Sequence, residues 1–218
     1  MRELRPGLWH WEAPHPEWSG PENEALRRRL TGIAETPSQT GVVSSYAFDD
    51  SDRLLLFDPL AAPTEIVELA AERETAIVLT CPWHERDARS LVAGLSAPVF
   101  VPPPDEGSPD VAWLRAGGTG EGHLFSAGDR LPLGVEAFPG RLPNDVVLWV
   151  ESHGAVIAGD TLVDFGQGLE IPPEWISPPM TREQIAEGLR PLLALPVEHV
   201  LATHGGPTNR AALERALA

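Results

Sequence analysis

The chain has 218 residues, of which 42% are hydrophobic and 22% charged, as is usual for a globular protein. Its formal net charge is −16, and so acidic a surface repels both nucleic-acid phosphates and anionic membranes. We therefore expect neither nucleic acid nor membrane as a partner. The short basic run from Arg27 to Arg29 is interpreted as a solvated helix face.

Cysteine usage and the N-terminal residues indicate the compartment. Cys81 is the only cysteine, so no intrachain disulfide can form, which fits a reducing cytosol. Residues 1–11 lack the apolar run of a signal peptide, and no stretch approaches the ~20 apolar residues that span a bilayer. We predict a single cytoplasmic domain over residues 1–218.

β-Branched and aromatic residues predict several strands in the first half of the chain. Alternating aromatics around Trp9 and Trp11 indicate a first strand that the following prolines end, and residues 22–30 have the composition of a short helix. Further strands are predicted at Val42–Phe48, Arg53–Phe57, Thr75–Leu79 and Pro98–Val101. Helices are predicted at Thr64–Glu72, with Thr64 as the N-cap, and at 87–95.

The second half repeats this alternation after a predicted loop at 105–122. Strands are predicted at Gly134–Phe138, Val146–Glu151, Ala155–Ala158 and Val197–Leu201, with a turn from Pro139 to Asp145 and an irregular segment at 164–179. Thr181 is predicted to cap a helix that runs to Leu193, and Ala211–Leu217 forms a closing helix. The pattern favours two mixed sheets packed together with helices outside.

Four short motifs follow the predicted strands, where loops commonly carry functional residues. They are Leu56-Phe57-Asp58-Pro59, the segment from Thr80 to Asp87, Pro139-Gly140-Arg141-Leu142-Pro143, and Gly159-Asp160-Thr161-Leu162 followed late by Thr203-His204-Gly205. In order and spacing, from about Leu4 to Leu217, the chain resembles the metallo-β-lactamase superfamily. The resemblance implies an α/β fold, a four-layer αβ/βα sandwich of two mixed β-sheets flanked by helices.

The resemblance also implies a metal site. The superfamily holds two metal ions with histidine and carboxylate ligands, and a shared hydroxide attacks an ester, amide, thioester or phosphoester. In this chain Asp160 matches the bridging carboxylate and His204 the late histidine ligand, whereas Asp58 matches the carboxylate beneath the site.

The second motif, from Thr80 to Asp87, departs from the family's T-H-x-H-x-D-H. Aligned without a gap from Thr80, Cys81 and Trp83 stand where the family has its two early histidines. Glu85 then replaces the ligand aspartate and Arg86 the third histidine. This alignment leaves Glu85 and the Cys81 thiolate as ligands.

A second alignment inserts one residue. His84 then takes the second histidine position and Asp87 the third, and both alignments remain open. In the second half of the chain, the expected histidine falls at Arg141. Arginine cannot ligate a metal, but a buried Asp160 needs positive charge nearby, which Arg141, and Arg86 with it, would supply.

We therefore predict a depleted site with no metal or one, zinc or a similar divalent ion, rather than a two-metal centre. The candidate ligands are His84, Asp87, Asp160 and His204. The candidate catalytic residues are Asp160 and His84, and the candidate substrate-binding residues are Arg86, Arg141, Glu85, Trp83 and Asp58.

Three functions compete at this stage. The first is a metal-dependent hydrolase of a small molecule. The second is a non-catalytic protein that binds a small anionic ligand or a partner in the same cleft. The third is metal-free chemistry with Cys81 as nucleophile and His84 as base. We expect a small molecule as the ligand, and the sequence is compatible with a homodimer.

Two other groups of residues receive structural interpretations. His10 and His15 lie among tryptophans, which indicates an aromatic strand packed at a sheet edge, with a substrate-facing wall as the alternative. Asn144 and Asp145 are interpreted as turn residues.

Overall fold

The computed structural model describes residues 1–15, 41–106, 122–132 and 134–218. The predicted helix at 22–30 and most of the predicted loop at 105–122 lie outside the described residues. None of the helices in the described ranges is both long and apolar enough to cross a membrane.

The first sheet contains seven strands in chain order, antiparallel from β1 to β4 and parallel from β4 to β7. They are β1 (Arg2–Arg5), β2 (Leu8–Pro14), β3 (Val42–Asp49), β4 (Arg53–Phe57), β5 (Glu74–Val78), β6 (Val99–Val101) and β7 (Gly122–Leu124). Helices α1 (Thr64–Ala71) and α2 (Ala88–Leu95) follow β4 and β5, because parallel neighbours need crossover connections.

The second sheet has the order β12-β11-β10-β9-β8, and its one parallel pair is β10 with β11. Its strands are β8 (Val135–Leu142), β9 (Asp145–Val150), β10 (Ala155–Gly159), β11 (His199–Ala202) and β12 (Pro207–Asn209). Helix α3 (Arg182–Leu189) connects the parallel pair, and α4 (Arg210–Ala216) follows β12. The predicted capping box is present, since Thr181 and Gln184 exchange side-chain and backbone hydrogen bonds.

Three apolar clusters separate four layers. The central cluster joins the facing sides of the two sheets and includes Tyr46, Phe57, Leu148 and Ile157. A second cluster packs the first sheet against α1 and α2, and a third packs the second sheet against α3 and α4. The predicted sandwich of two mixed sheets flanked by helices is therefore confirmed.

Several element boundaries differ from the sequence prediction. Strands β1, β7 and β12 were not predicted, and α1 begins at Thr64 with Pro63, not Thr64, in the N-cap position. Strand β8 continues through Pro139 and Gly140, where a turn was predicted. It can do so because β8 is an edge strand, which tolerates proline.

Candidate metal-binding site

Buried polar side chains gather where four strands end at one edge of the sandwich. Asp58 follows β4, Thr80 lies after β5, Asp160 follows β10 and His204 lies after β11, and all four are buried. The Val146 amide donates to the carbonyl of Thr80 across the two sheets at 2.9 Å. The two sheets therefore meet directly at this edge and bring together residues distant in sequence.

Asp58 anchors the first half of the site. The backbone N–H and the hydroxyl of Thr80 donate to its two carboxylate oxygens at 2.9 and 2.7 Å, and Nδ1 of His84 lies 3.1 Å from Oδ2. Burial raises the pKa of Asp58, but His84, Arg86 and Thr80 outweigh it and hold the pKa below its usual value. Asp58 is therefore a carboxylate that orients the His84 ring.

His84 lies between two carboxylates. It ends a short 3₁₀ helix, Pro82–His84, and its Nε2 lies 3.2 Å from Oδ1 of Asp160. Burial lowers the pKa of His84, but the negative charges of Asp160 and Asp58 prevail and raise it to about 9. Without a metal ion, His84 is therefore an imidazolium at neutral pH.

The two oxygens of Asp160 face different partners. Oδ1 lies 3.2 Å from Nε2 of His84 and 3.3 Å from Nε2 of His204. Oδ2 accepts a hydrogen bond from the Trp83 indole at 2.9 Å and lies 3.4 Å from Nη2 of Arg141. Burial raises the pKa of Asp160, but the two histidines hold it well below its usual range, so it is ionised.

These donors fit a divalent metal ion. Oδ1 of Asp160 is buried and makes no hydrogen bond of regular geometry to a described residue, although two imidazole nitrogens approach it. Tetrahedral zinc with bonds of about 2.0–2.1 Å places neighbouring ligand atoms roughly 3.3 Å apart, close to the separations seen here. Among the described residues, Cys81, His84 and Asp160 offer donor atoms within 4.8 Å of one another, a group that includes Cys81 but not the predicted ligand His204. His204 approaches only Asp160 within this group, at 3.3 Å.

His204 is suited to ligation by its protonation state. Burial lowers its pKa more than Asp160 raises it, so its ring is neutral at pH 7. Rings of His15, Phe165 and Trp175 surround it, with centroids 5.8, 6.0 and 5.2 Å away. The sequence analysis described residues 164–179 as irregular and interpreted His15 as part of an aromatic strand at a sheet edge. It could not place these rings around His204, because only the tertiary structure brings them together.

Arg141 is enclosed on every side. Its Nε lies 2.8 Å from Oδ2 of Asp145, its Nη1 donates to the Trp175 carbonyl at 3.3 Å, and its Nη2 faces Asp160. The guanidinium carbon lies 5.5 Å from the Trp83 ring centroid and 5.6 Å from that of Trp175. Both indoles thus stabilise the cation by cation–π contact.

Asp145 is a site residue that the sequence analysis assigned to a turn. It is fully buried as the first residue of β9 and accepts a hydrogen bond from Thr161 at 3.1 Å. Burial and the charge of Asp160 raise its pKa to about 7, although Arg141 lowers it. The sequence offered one signal that could have identified Asp145 as a site residue. It is an acidic residue four positions after Arg141 and directly before an apolar strand.

The remaining predicted residues take different positions. Arg86 donates through Nη1 to the backbone carbonyls of Asp58 at 2.6 Å and Ser44 at 3.3 Å. Asp87 is not part of the metal-capable group among the described residues. Its carboxylate accepts from the Ala61 amide at 2.5 Å, and it occupies the N-cap position of α2. Glu85 is half-buried between His84 and Arg86.

Comparison with known proteins gives the fold but no close relative. No protein-family model matches the sequence, and no curated protein matches it either. TTHA1623, solved in a di-iron-bound form, is 25% identical, with a TM-score of 0.57 over 80% of this chain and 93% of that one.

Two further solved structures cover nearly the whole chain. DIM-1 metallo-β-lactamase is 14% identical, with a TM-score of 0.65 over 99% of this chain and 93% of that one. ST1585, an archaeal metallo-β-lactamase superfamily protein from Sulfolobus tokodaii, is 15% identical, with a TM-score of 0.64 over 97% and 84%. With the two mixed sheets and the site at their meeting edge, these matches identify the chain as a protein of the metallo-β-lactamase fold.

Proposed function

We propose that the chain is a hydrolase of metallo-β-lactamase fold that acts on a small molecule with one divalent metal ion. The different partners of the two carboxylate oxygens of Asp160 are the main support for this proposal. Its Oδ1 faces the imidazoles of His84 and His204, whereas its Oδ2 faces the guanidinium of Arg141. A carboxylate that bridges two ions in the superfamily would here bridge one ion and one arginine.

The donor set supports this assignment. Cys81, His84 and Asp160 would hold the ion, with His204 against the same Asp160 oxygen, and thiolate, imidazole and carboxylate are ligands that zinc accepts. Asp58 binds the far nitrogen of His84, the arrangement that orients metal-ligating histidines in many proteins. The di-iron form of the similar TTHA1623 supports a metal in this fold.

A bound divalent ion would supply a polarised scissile bond and a bound water of lowered pKa. The chain's own residues prepare the surroundings. Trp83 and Arg141 hold Asp160 in place through its second oxygen. The rings of His15, Phe165 and Trp175 flank His204 and would exclude water from a bound substrate.

A second candidate function is a non-catalytic protein that binds a small anionic ligand or a partner in the same cleft. The charges of the metal-free site support it. The ionised carboxylates of Asp58 and Asp160 face the His84 imidazolium and Arg141, and Asp145, whose pKa is raised to about 7, carries only part of a negative charge at neutral pH. These acids are therefore largely neutralised without an ion. This function requires no metal-bound water.

Metal analysis of the purified protein separates the two candidates. We expect about one equivalent of metal per chain, a melting temperature that rises with added zinc, and hydrolysis of an ester or thioester panel that Asp160→Asn abolishes. Less than about 0.2 equivalents with no thermal shift would favour the non-catalytic protein. Two tightly bound equivalents would contradict the replacement of the second ion by Arg141.

A further inference from the structure

One N–H donor group of Arg86 is buried and has no hydrogen-bond acceptor among the described residues. Its Nη1 is fixed by the carbonyls of Asp58 and Ser44 at 2.6 and 3.3 Å. Its Nη2 is buried, and within the described ranges it has no hydrogen-bond acceptor. A buried charged donor without an acceptor is costly, so this nitrogen is suited to an oxygen supplied by a ligand.

Arg141, the other arginine of the site, has no comparable capacity. Its Nε makes no hydrogen bond of regular geometry to a described residue but lies 2.8 Å from the Asp145 carboxylate, its Nη1 donates to the Trp175 carbonyl, and its Nη2 faces Asp160. Trp83 and Trp175 cover the two faces of the guanidinium. Among the described residues, by contrast, Arg86 forms no ion pair and contacts only neutral carbonyls. The two arginines therefore differ: Arg141 is already paired with two acids, whereas Arg86 has no counter-ion among the described residues.

The position of Arg86 suits a group that binds beside the metal ligands. It follows His84 by two residues, and its Nη1 donates to the carbonyl of Asp58, whose carboxylate contacts His84. It also donates to the carbonyl of Ser44, whose amide donates to Thr203, the residue before His204. The guanidinium is therefore fixed between the two segments that carry the histidines, and a ligand oxygen on Nη2 would lie beside the proposed ion.

We propose that Arg86 anchors an oxyanion of the substrate, a carboxylate or a phosphate, beside the candidate metal ligands. Guanidinium N–H groups match the planar spacing of these oxyanions, and the fixed Nη1 gives the donor a defined direction. The proposal rests on the proposed function and narrows its substrate to an anionic small molecule.

Binding of two simple oxyanions to the zinc-loaded protein tests this inference. Calorimetric titration with inorganic phosphate and with acetate is compared for the wild type, Arg86→Gln and Arg89→Gln. Arg89 is exposed on the neighbouring helix α2 and gives the same charge change. We expect Arg86→Gln to weaken binding of at least one oxyanion tenfold or more, and Arg89→Gln to leave it unchanged. The preferred oxyanion then distinguishes a carboxylate from a phosphate substrate.

Equal binding by wild type and folded Arg86→Gln would overturn the inference. If that variant does not fold, a crystal structure of the wild type grown with phosphate decides, because the anion must then lie on Nη2. An anion elsewhere, or none, would also overturn it. The metal content is measured in parallel. One equivalent of metal with anion binding that does not depend on Arg86 contradicts only this inference. Anion binding that depends on Arg86 in a protein that takes up no metal contradicts only the proposed hydrolase.

Discussion

Arg141 and Asp145 form a buried ion pair at the start of strand β9, with 2.8 Å between Nε and Oδ2. The four-residue spacing is not helical here, because β8 and β9 are antiparallel neighbours that bring the two side chains together. The same guanidinium contacts Asp160, so the pair connects the strand hairpin to the candidate metal ligands.

Arg141→Met should destabilise the protein by about 3–5 kcal/mol, because it leaves Asp145 buried without its cation and removes one of the two cations that face Asp160. Urea unfolding at pH 7.5 measures the change. Asp145→Asn added to Arg141→Met should recover part of the loss, since it removes one of the unpaired acids. Arg130→Met, which breaks the exposed pair with Glu136, is the control and should cost at most about 1 kcal/mol. Similar losses in the free energy of unfolding for the two arginine substitutions would contradict the assignment of Arg141 as a buried counter-ion of these acids.

The metal-free protein should lose stability as the pH rises through about 9. The pKa of His84 is raised to about 9 in the folded state against 6.5 when unfolded, so its stabilisation is full below pH 6.5 and declines between pH 6.5 and about 9. The shift corresponds to about 3 kcal/mol. The chain contains no lysine. The pKa values of Cys81 and Asp145 are also raised in the folded state, so both groups lose stabilisation in the same direction, and the His84 contribution is measured as the difference between the wild type and His84→Gln.

Free energies of unfolding at pH 6.5 and 9.5, measured with chelator present, check this prediction. His84→Gln should remove most of the difference between the two pH values. Zinc-loaded wild type should also show a smaller difference, because a ligating histidine is neutral in the folded state. A pH dependence that His84→Gln leaves intact would refute the charge state assigned to this ring.

Asp58, in the motif that follows β4, and Asp87, at the end of the motif that begins at Thr80, should differ in their effect on metal affinity. Asp58→Asn should weaken zinc binding about 10–100-fold, because Asp58 orients the His84 ring through Nδ1. Asp87→Asn should leave affinity and stoichiometry unchanged, because its carboxylate binds the Ala61 amide. Zinc competition with a chromophoric chelator measures both, with melting curves to confirm folding. An equal loss in the two variants would place Asp87 among the ligands.

Gly140 is required for the close approach of β8 to β9 at the site. A Cβ atom there would lie 2.2 Å from the Asp145 carbonyl oxygen and 2.3 Å from Thr161 Oγ1. Gly140→Ala must therefore shift the backbone at position 140, next to Arg141. We expect a loss of a few kcal/mol, on the order of an overpacked core. Gly94→Ala in α2 is the control, since its Cβ meets nothing within 4 Å and should stabilise by about 0.5–1 kcal/mol. Denaturant unfolding compares the two.

Much of the fold followed from local pattern. Apolar strands such as Thr75–Leu79 and the Thr181 cap are encoded within a few residues, because hydrophobic period and capping depend on near neighbours. Strand β8 was shortened in the prediction because Pro139 and Gly140 are turn residues in most contexts. Only its edge position in the second sheet permits them within a strand.

The sequence by itself determined which strand ends carry the candidate site, since Asp58, Asp160 and His204 each follow a strand in a recognisable order. The tertiary structure decided which donors meet. It turned Asp87 toward Ala61, enclosed Arg141 against Asp145, and brought His15 and Trp175 to His204. These outcomes depend on side-chain directions in loops, which are set by contacts between distant segments rather than by the local period of the chain.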